Sequence, residues 1–151
     1  MKRYPNFLAE LAKQPGGERI SDCLTCRVCT AGCPVSRINQ RFNPFRIIQM
    51  TLLGLVEDVL TNDFIWLCAA CDSCKAACPR GVRVSDVMSL LKNAAAKEGY
   101  VPHGVKAQLK ILKEKGRIYD IDEFDNKKRG KLNLPALPVS CDVVKTLFSE
   151  K

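Results

Sequence analysis

Large aromatic rings are scarce in this chain of 151 residues, at 7%. So little ring surface implies a modest apolar core that calls for a staple of another kind. Histidine is scarcer still. The only one, His103, sits at a predicted helix start with no partner in view. It reads as a capping or surface residue rather than a proton donor. No other constellation of side chains looks catalytic, so the chain itself carries no evident active site. Long apolar runs are also missing: none approaches the roughly 18 residues needed to cross a bilayer. The longest candidate, "IIQMTLLGLVEDVL", is interrupted by Gln49, Gly54, Glu57 and Asp58. The opening "MKRYPNFLAELAKQPGG" has neither the apolar region nor the small-residue cleavage site of a secretion signal. These absences predict a cytoplasmic chain with no direct membrane span. Cysteines stay reduced there, so a regular cysteine framework reads as a metal site rather than as disulfides.

Nine cysteines are present, and all but Cys141 fall in two runs. "CLTCRVCTAGCP" at 23–34 recurs as "CAACDSCKAACP" at 68–79, with every cysteine and the proline displaced by 45 residues. Each run is C-x2-C-x2-C-x3-C-P. Three thiolates spaced by two residues can turn around one face of a cubane [4Fe–4S] cluster, leaving the fourth corner to another part of the chain. In runs of this spacing the fourth cysteine serves the other cluster. The expected ligands are therefore Cys23, Cys26, Cys29 and Cys78 for one cluster, and Cys68, Cys71, Cys74 and Cys33 for the other. Pro34 and Pro79 keep a helix from running through the fourth cysteine. Zinc also takes four thiolates, but zinc ribbons use two separate C-x2-C knuckles, and an even triplet with an offset fourth cysteine suits a cube better. Cys141 reads as a plain free thiol. Metal ligation would supply much of the folding free energy.

The formal charge of +8 raises the question of nucleic acid. Two oxidised cluster sites at about −2 each bring the folded chain to about +4. The Lys and Arg residues are also dispersed, apart from "KKR" at 127–129, so nucleic acid is not an expected partner. Within the loops, Arg27 stands where the second copy has Asp72. That difference predicts a slightly higher potential for the first cluster, reduced by Lys75 beside Asp72.

The remaining pattern is helical, with no convincing strand. An opening helix spans about 6–13. Asn43 and Pro44 start a second, with Phe45, Ile48, Leu52 and Leu55 on one stripe and Gly54 near its end. Asn62 or Asp63 caps a short helix, "FIWLCAAC". Ser85 caps "DVMSLLKNAAAKEG", which stops at Gly99, and Pro102 opens a helix ending at Gly116. From Arg117 to Ser140 the periodicity dissolves into an extended arm with two Leu-Pro breaks, followed by a short helix, "DVVKTLFSE". The expected domains are a dicluster domain over 1–116 and a partner-docking arm over 117–151.

Small two-cluster ferredoxins join their motifs by a short β-rich link. The helical segment between Cys33 and Cys68 instead resembles the α-helical ferredoxin family, over about 18–98. A narrower resemblance lies in "GGERISDCLTCRVCTAGCPVS", "NPFRIIQMTLLG", "IWLCAACDSCKAACPRGVRVSDVMSLLKNAAAKEGY" and "VPHGVKAQLK". Together these resemble the C subunit of heterodisulfide reductases. "DNKKRGKLNLPALP" resembles the arm of such subunits more loosely, with Asn133 where a glycine is common. The resemblance implies an all-α fold with two [4Fe–4S] clusters. It also implies an electron relay between two partners of a heterodisulfide-reductase-like complex. One is the A subunit, which holds flavin and iron–sulfur centres. The other is the thiol- or disulfide-acting catalytic B subunit. The alternative is a stand-alone dicluster ferredoxin.

Overall fold

The computed structural model describes Tyr4, residues 6–141 and Val144. Among these the structure is helical, without strands. No helix is long and apolar enough to cross a membrane among the described residues. Contacts divide the chain into two compact units, Met1–Tyr100 and Val101–Lys151.

The first unit opens with α1 (Phe7–Ala12) and a 3-10 turn, Ile20–Asp22. The first cysteine loop carries α2 (Val28–Ala31), and Pro34 starts α3 (Pro34–Ile38). Next come α4 (Pro44–Leu52), α5 (Val56–Thr61) and a second 3-10 turn, Asp63–Leu67. The second loop carries α6 (Ser73–Ala76), and α7 (Val84–Lys97) closes the unit.

The repeat reaches well beyond the cysteines. Ile20 and Ile65, again 45 apart, are 1% and 0% exposed. Each lies in the 3-10 turn that delivers the first cysteine of its run, and each carbonyl accepts that cysteine's N–H at 3.4 Å. At the far end, Gly54 and Gly99 terminate α4 and α7 at φ +75° and +84°. Both helices end in the same pair of bonds. Leu55 N–H donates to Met50 and Gly54 N–H to Thr51, as Tyr100 does to Ala95 and Gly99 to Ala96. This is a Schellman motif, which needs a left-handed residue that glycine supplies without strain. The first unit is thus an internal duplication, 20–54 and 65–99.

Several local expectations need correction. The buried face of α4 is Pro44, Ile47, Ile48 and Thr51, while Leu55 is exposed. The stripe is rotated from Phe45–Ile48–Leu52–Leu55 because Pro44 at the helix start packs inward. "FIWLCAAC" is not one helix: the 3-10 turn stops at Leu67 and the chain is extended at Cys68, with no side-chain cap from Asn62. Ser85 lies inside α7 and is buried, and Arg83 holds the N-cap position without a capping bond.

The second unit contains α8 (His103–Lys115), bounded by Pro102 and by Gly116 at φ +72°, and α9 (Glu123–Lys131). The stretch expected to lack pattern therefore holds a helix. It starts with a reciprocal capping box between Asp122 and Asp125. No residue of α9 is buried, so it gives no apolar period to read. Asn126 then pins the following segment: its side chain exchanges two hydrogen bonds of 2.9 Å with the backbone of Leu137. Asn133 has φ +54°, a left-handed position that asparagine tolerates and that explains why glycine suits it. The helix expected over "DVVKTLFSE" lies outside the described residues, apart from Val144.

Candidate metal centre

The two cysteine loops share one backbone course. The 3-10 turns release Cys23 and Cys68 at φ −63° and −62°. The residues flanking the second cysteine, Thr25 and Arg27 in one loop and Ala70 and Asp72 in the other, are all left-handed, with φ between +51° and +61°. None is glycine, so Thr25, Arg27 and Ala70 each carry a conformational cost of about 1–2 kcal/mol, and Asp72 a smaller one. Two sequences that agree in little but their cysteines accept a cost at the same places. Alternating left- and right-handed residues turn successive N–H groups into a concavity suited to an anion, iron–sulfur centres included. The loops then wind into α2 and α6, which pack against each other.

Each loop is fastened to the long helix that follows it by the residue after the third cysteine. Thr30 hydrogen-bonds Asn43 at 2.8 Å. Lys75, its counterpart, pairs with Asp86 in the first turn of α7 at 3.1 Å. Burial alone would raise the Asp86 carboxyl; the Lys75 hydrogen bond and the Arg83 charge outweigh it and hold the group below its ordinary value.

Cys33 is buried, Cys26 and Cys71 are exposed, and the other loop cysteines are half-buried. Cys33 does not sit with its own triplet alone. It lines a small pocket with Cys68, Cys71 and Cys74, walled by Val35, Phe42, Pro44 and Met88. Among the described residues no three His, Cys, Asp or Glu side chains are placed to hold a single metal ion. Burial, and then the neighbouring thiolates Cys68 and Cys29, push the Cys74 thiol up to about 11. Burial likewise raises Cys29, whereas the Ser73 hydroxyl beside Cys71 lowers that thiol.

Two contacts escaped the sequence reading. The Gln49 amide donates to Cys23 Sγ at 3.6 Å, and Lys92 donates its ammonium hydrogen to the Cys68 carbonyl at 2.9 Å. Both span more than twenty positions of sequence, and nothing local signals them. His103 is an exposed residue at the start of α8, and Cys141 is half-buried in the second unit, where its N–H donates to the Lys115 carbonyl.

Soft thiolate donors on two duplicated, strained loops suit iron–sulfur clusters. Residues 19–82 match the family described as a 4Fe-4S dicluster domain. The chain is an iron–sulfur protein with two [4Fe–4S] clusters.

The relatives narrow this further. The chain is 32% identical over 133 residues to the C subunit of the H(2):CoB-CoM heterodisulfide,ferredoxin reductase of Methanothermobacter thermautotrophicus, covering 86% of this chain and 70% of that one. It is 32% identical to an iron-sulfur C subunit, the second form, of the CoB--CoM heterodisulfide reductase of Methanocaldococcus jannaschii, over 99% of this chain and 79% of the relative. It is 31% identical to the C subunit of the Ferredoxin:CoB-CoM heterodisulfide reductase of Methanosarcina mazei, over 87% and 80%. The chain belongs to the family of heterodisulfide reductase C subunits.

Proposed function

We propose that this protein relays electrons within a heterodisulfide-reductase-like complex in the cytoplasm. It would run between the flavin-containing A subunit and the thiol- or disulfide-acting catalytic B subunit. Cys23, Cys26, Cys29 and Cys78 hold one cluster, and Cys68, Cys71, Cys74 and Cys33 the other. Each cluster, when bound, takes up and releases one electron at a time. The observation that carries the reading is the cavity shared by Cys33 and the second triplet. It supports crossed ligation, which ties the two halves together and sets the two centres side by side. The packing of α2 on α6 supports the same closeness.

The chain's own residues do the remaining work. Phe42, Pro44 and Met88 wall the cavity with apolar surface and restrict water around Cys33. The loops around Cys26 and Cys71 are exposed, so each can meet a partner at the surface. Residues 1–116 form the dicluster domain, and 117–151 dock on a partner subunit. The names of the relatives, each the C subunit of a reductase, support a complex rather than a free carrier.

The test is purification of the tagged chain from its native cells. Co-elution of a flavoprotein and a second iron–sulfur subunit, and reduction of this chain by the reduced flavoprotein, is the expected result. Recovery as a monomer that the flavoprotein does not reduce would favour the stand-alone ferredoxin. Truncation at Arg117 should abolish co-elution while retaining iron.

A further inference from the structure

The duplication gives each residue of one half a counterpart in the other, and one pair breaks the symmetry in charge. Gly54 and Gly99 keep the 45-residue register to the ends of α4 and α7, which sets Lys92 opposite Ile47. Ile47 is 2% exposed and belongs to the core. Lys92 is half-buried, and its ammonium lies 2.9 Å from the carbonyl of Cys68, one of the expected cluster ligands. A cation at a position where the sister half needs only an aliphatic chain is not explained by packing.

The other charges near the loops are spent or screened. Lys75 and Arg83 both pair with Asp86. Asp72 is exposed, and so is Arg27, whose guanidinium lies over the Phe45 ring at 5.1 Å. Exposed charges act weakly through water and salt. Lys92 pairs with no carboxylate among the described residues, and its field is less screened. Gln49 also favours the reduced form of the first cluster through its bond to Cys23 Sγ, but a neutral donor does so less than a charged one.

We propose that Lys92 makes the cluster of Cys68, Cys71, Cys74 and Cys33 the higher-potential one, so that a single electron entering the protein rests there. Reduction adds one negative charge to that cluster, and the fixed ammonium stabilises the added charge. The order is opposite to the one expected from Arg27 and Asp72 alone. The inference rests on the proposed ligand sets but not on the identity of the partner subunits.

EPR-monitored redox titration of the isolated holo-protein tests it. Cys71→Ser and Cys26→Ser mark which signal belongs to which triplet. The signal altered by Cys71→Ser should be the first reduced in the otherwise native protein. Lys92→Gln should lower the potential of that signal and narrow the gap, and Lys92→Arg should preserve the order. The proposal is overturned if the first-reduced signal is the one altered by Cys26→Ser, or if Lys92→Gln moves neither potential. If Lys92→Gln loses iron, the marked signals and Lys92→Arg still decide. Failure of the relay reading would show separately, as missing co-elution with unchanged potentials.

Discussion

Thr30 and Asn43 meet at 2.8 Å, the hydroxyl of one donating to the side-chain oxygen of the other. The same Asn43 oxygen accepts the Arg46 N–H and caps α4, while the Thr30 oxygen accepts the Phe45 N–H. One pair of short polar side chains therefore closes the helix and holds the first loop against it. Asn43→Ala removes both functions and should cost about 1–2 kcal/mol in the thermal unfolding of the holo-protein. An unchanged midpoint would contradict the clamp.

Gly16 has φ +96°, and a Cβ there would lie 2.5 Å from the Asp86 Cβ. Two costs add, a strained backbone and a clash with a residue already fixed by Lys75 and Arg83. Gly16→Ala should destabilise by about 2 kcal/mol or more, measured by denaturant unfolding. A loss of under about 0.5 kcal/mol, the range of ordinary surface changes, would contradict the close approach.

Thr25 is β-branched and sits at φ +59°. Glycine is free of the left-handed penalty, so Thr25→Gly should stabilise the fold by up to about 1 kcal/mol, less the entropy that glycine adds to the unfolded chain. Thr25→Val keeps the strain and loses the hydroxyl, and should not gain. Equal midpoints for the two variants would contradict a strained loop.

Removing iron should melt the first unit. The loops connect core elements, and the core itself is small: Phe42 is the one fully buried aromatic ring among the described residues. Chelation under reducing conditions should abolish cooperative unfolding and most of the helical circular dichroism. Retention of a sharp transition in iron-free protein would contradict the dependence.

The parts of this fold that rest on local chemistry were legible in the sequence. The cysteine spacing announced two clusters, and Pro102 and Gly116 bounded α8. Asn43 announced its own cap. The parts that rest on packing were not. The rotation of α4 depends on what Pro44 touches, and Ser85 reads as a cap only until α7 is seen to begin before it. The helix α9 hides because it buries nothing. Lys92 and Gln49 reach the cysteines from helices far along the chain. The wider duplication is written in the sequence too: Ile20 with Ile65, and Gly54 with Gly99, repeat at the same 45-residue interval as the cysteines.

Crossed ligation is the central claim, and iron content in paired variants tests it most directly. Cys33→Ala combined with Cys71→Ala damages one cluster twice if Cys33 serves the second triplet, and should leave about four irons per chain. Cys33→Ala combined with Cys26→Ala damages both clusters and should leave almost none. The reverse pattern, with iron kept in the Cys26 pair and lost in the Cys71 pair, would mean that each run holds its own cluster.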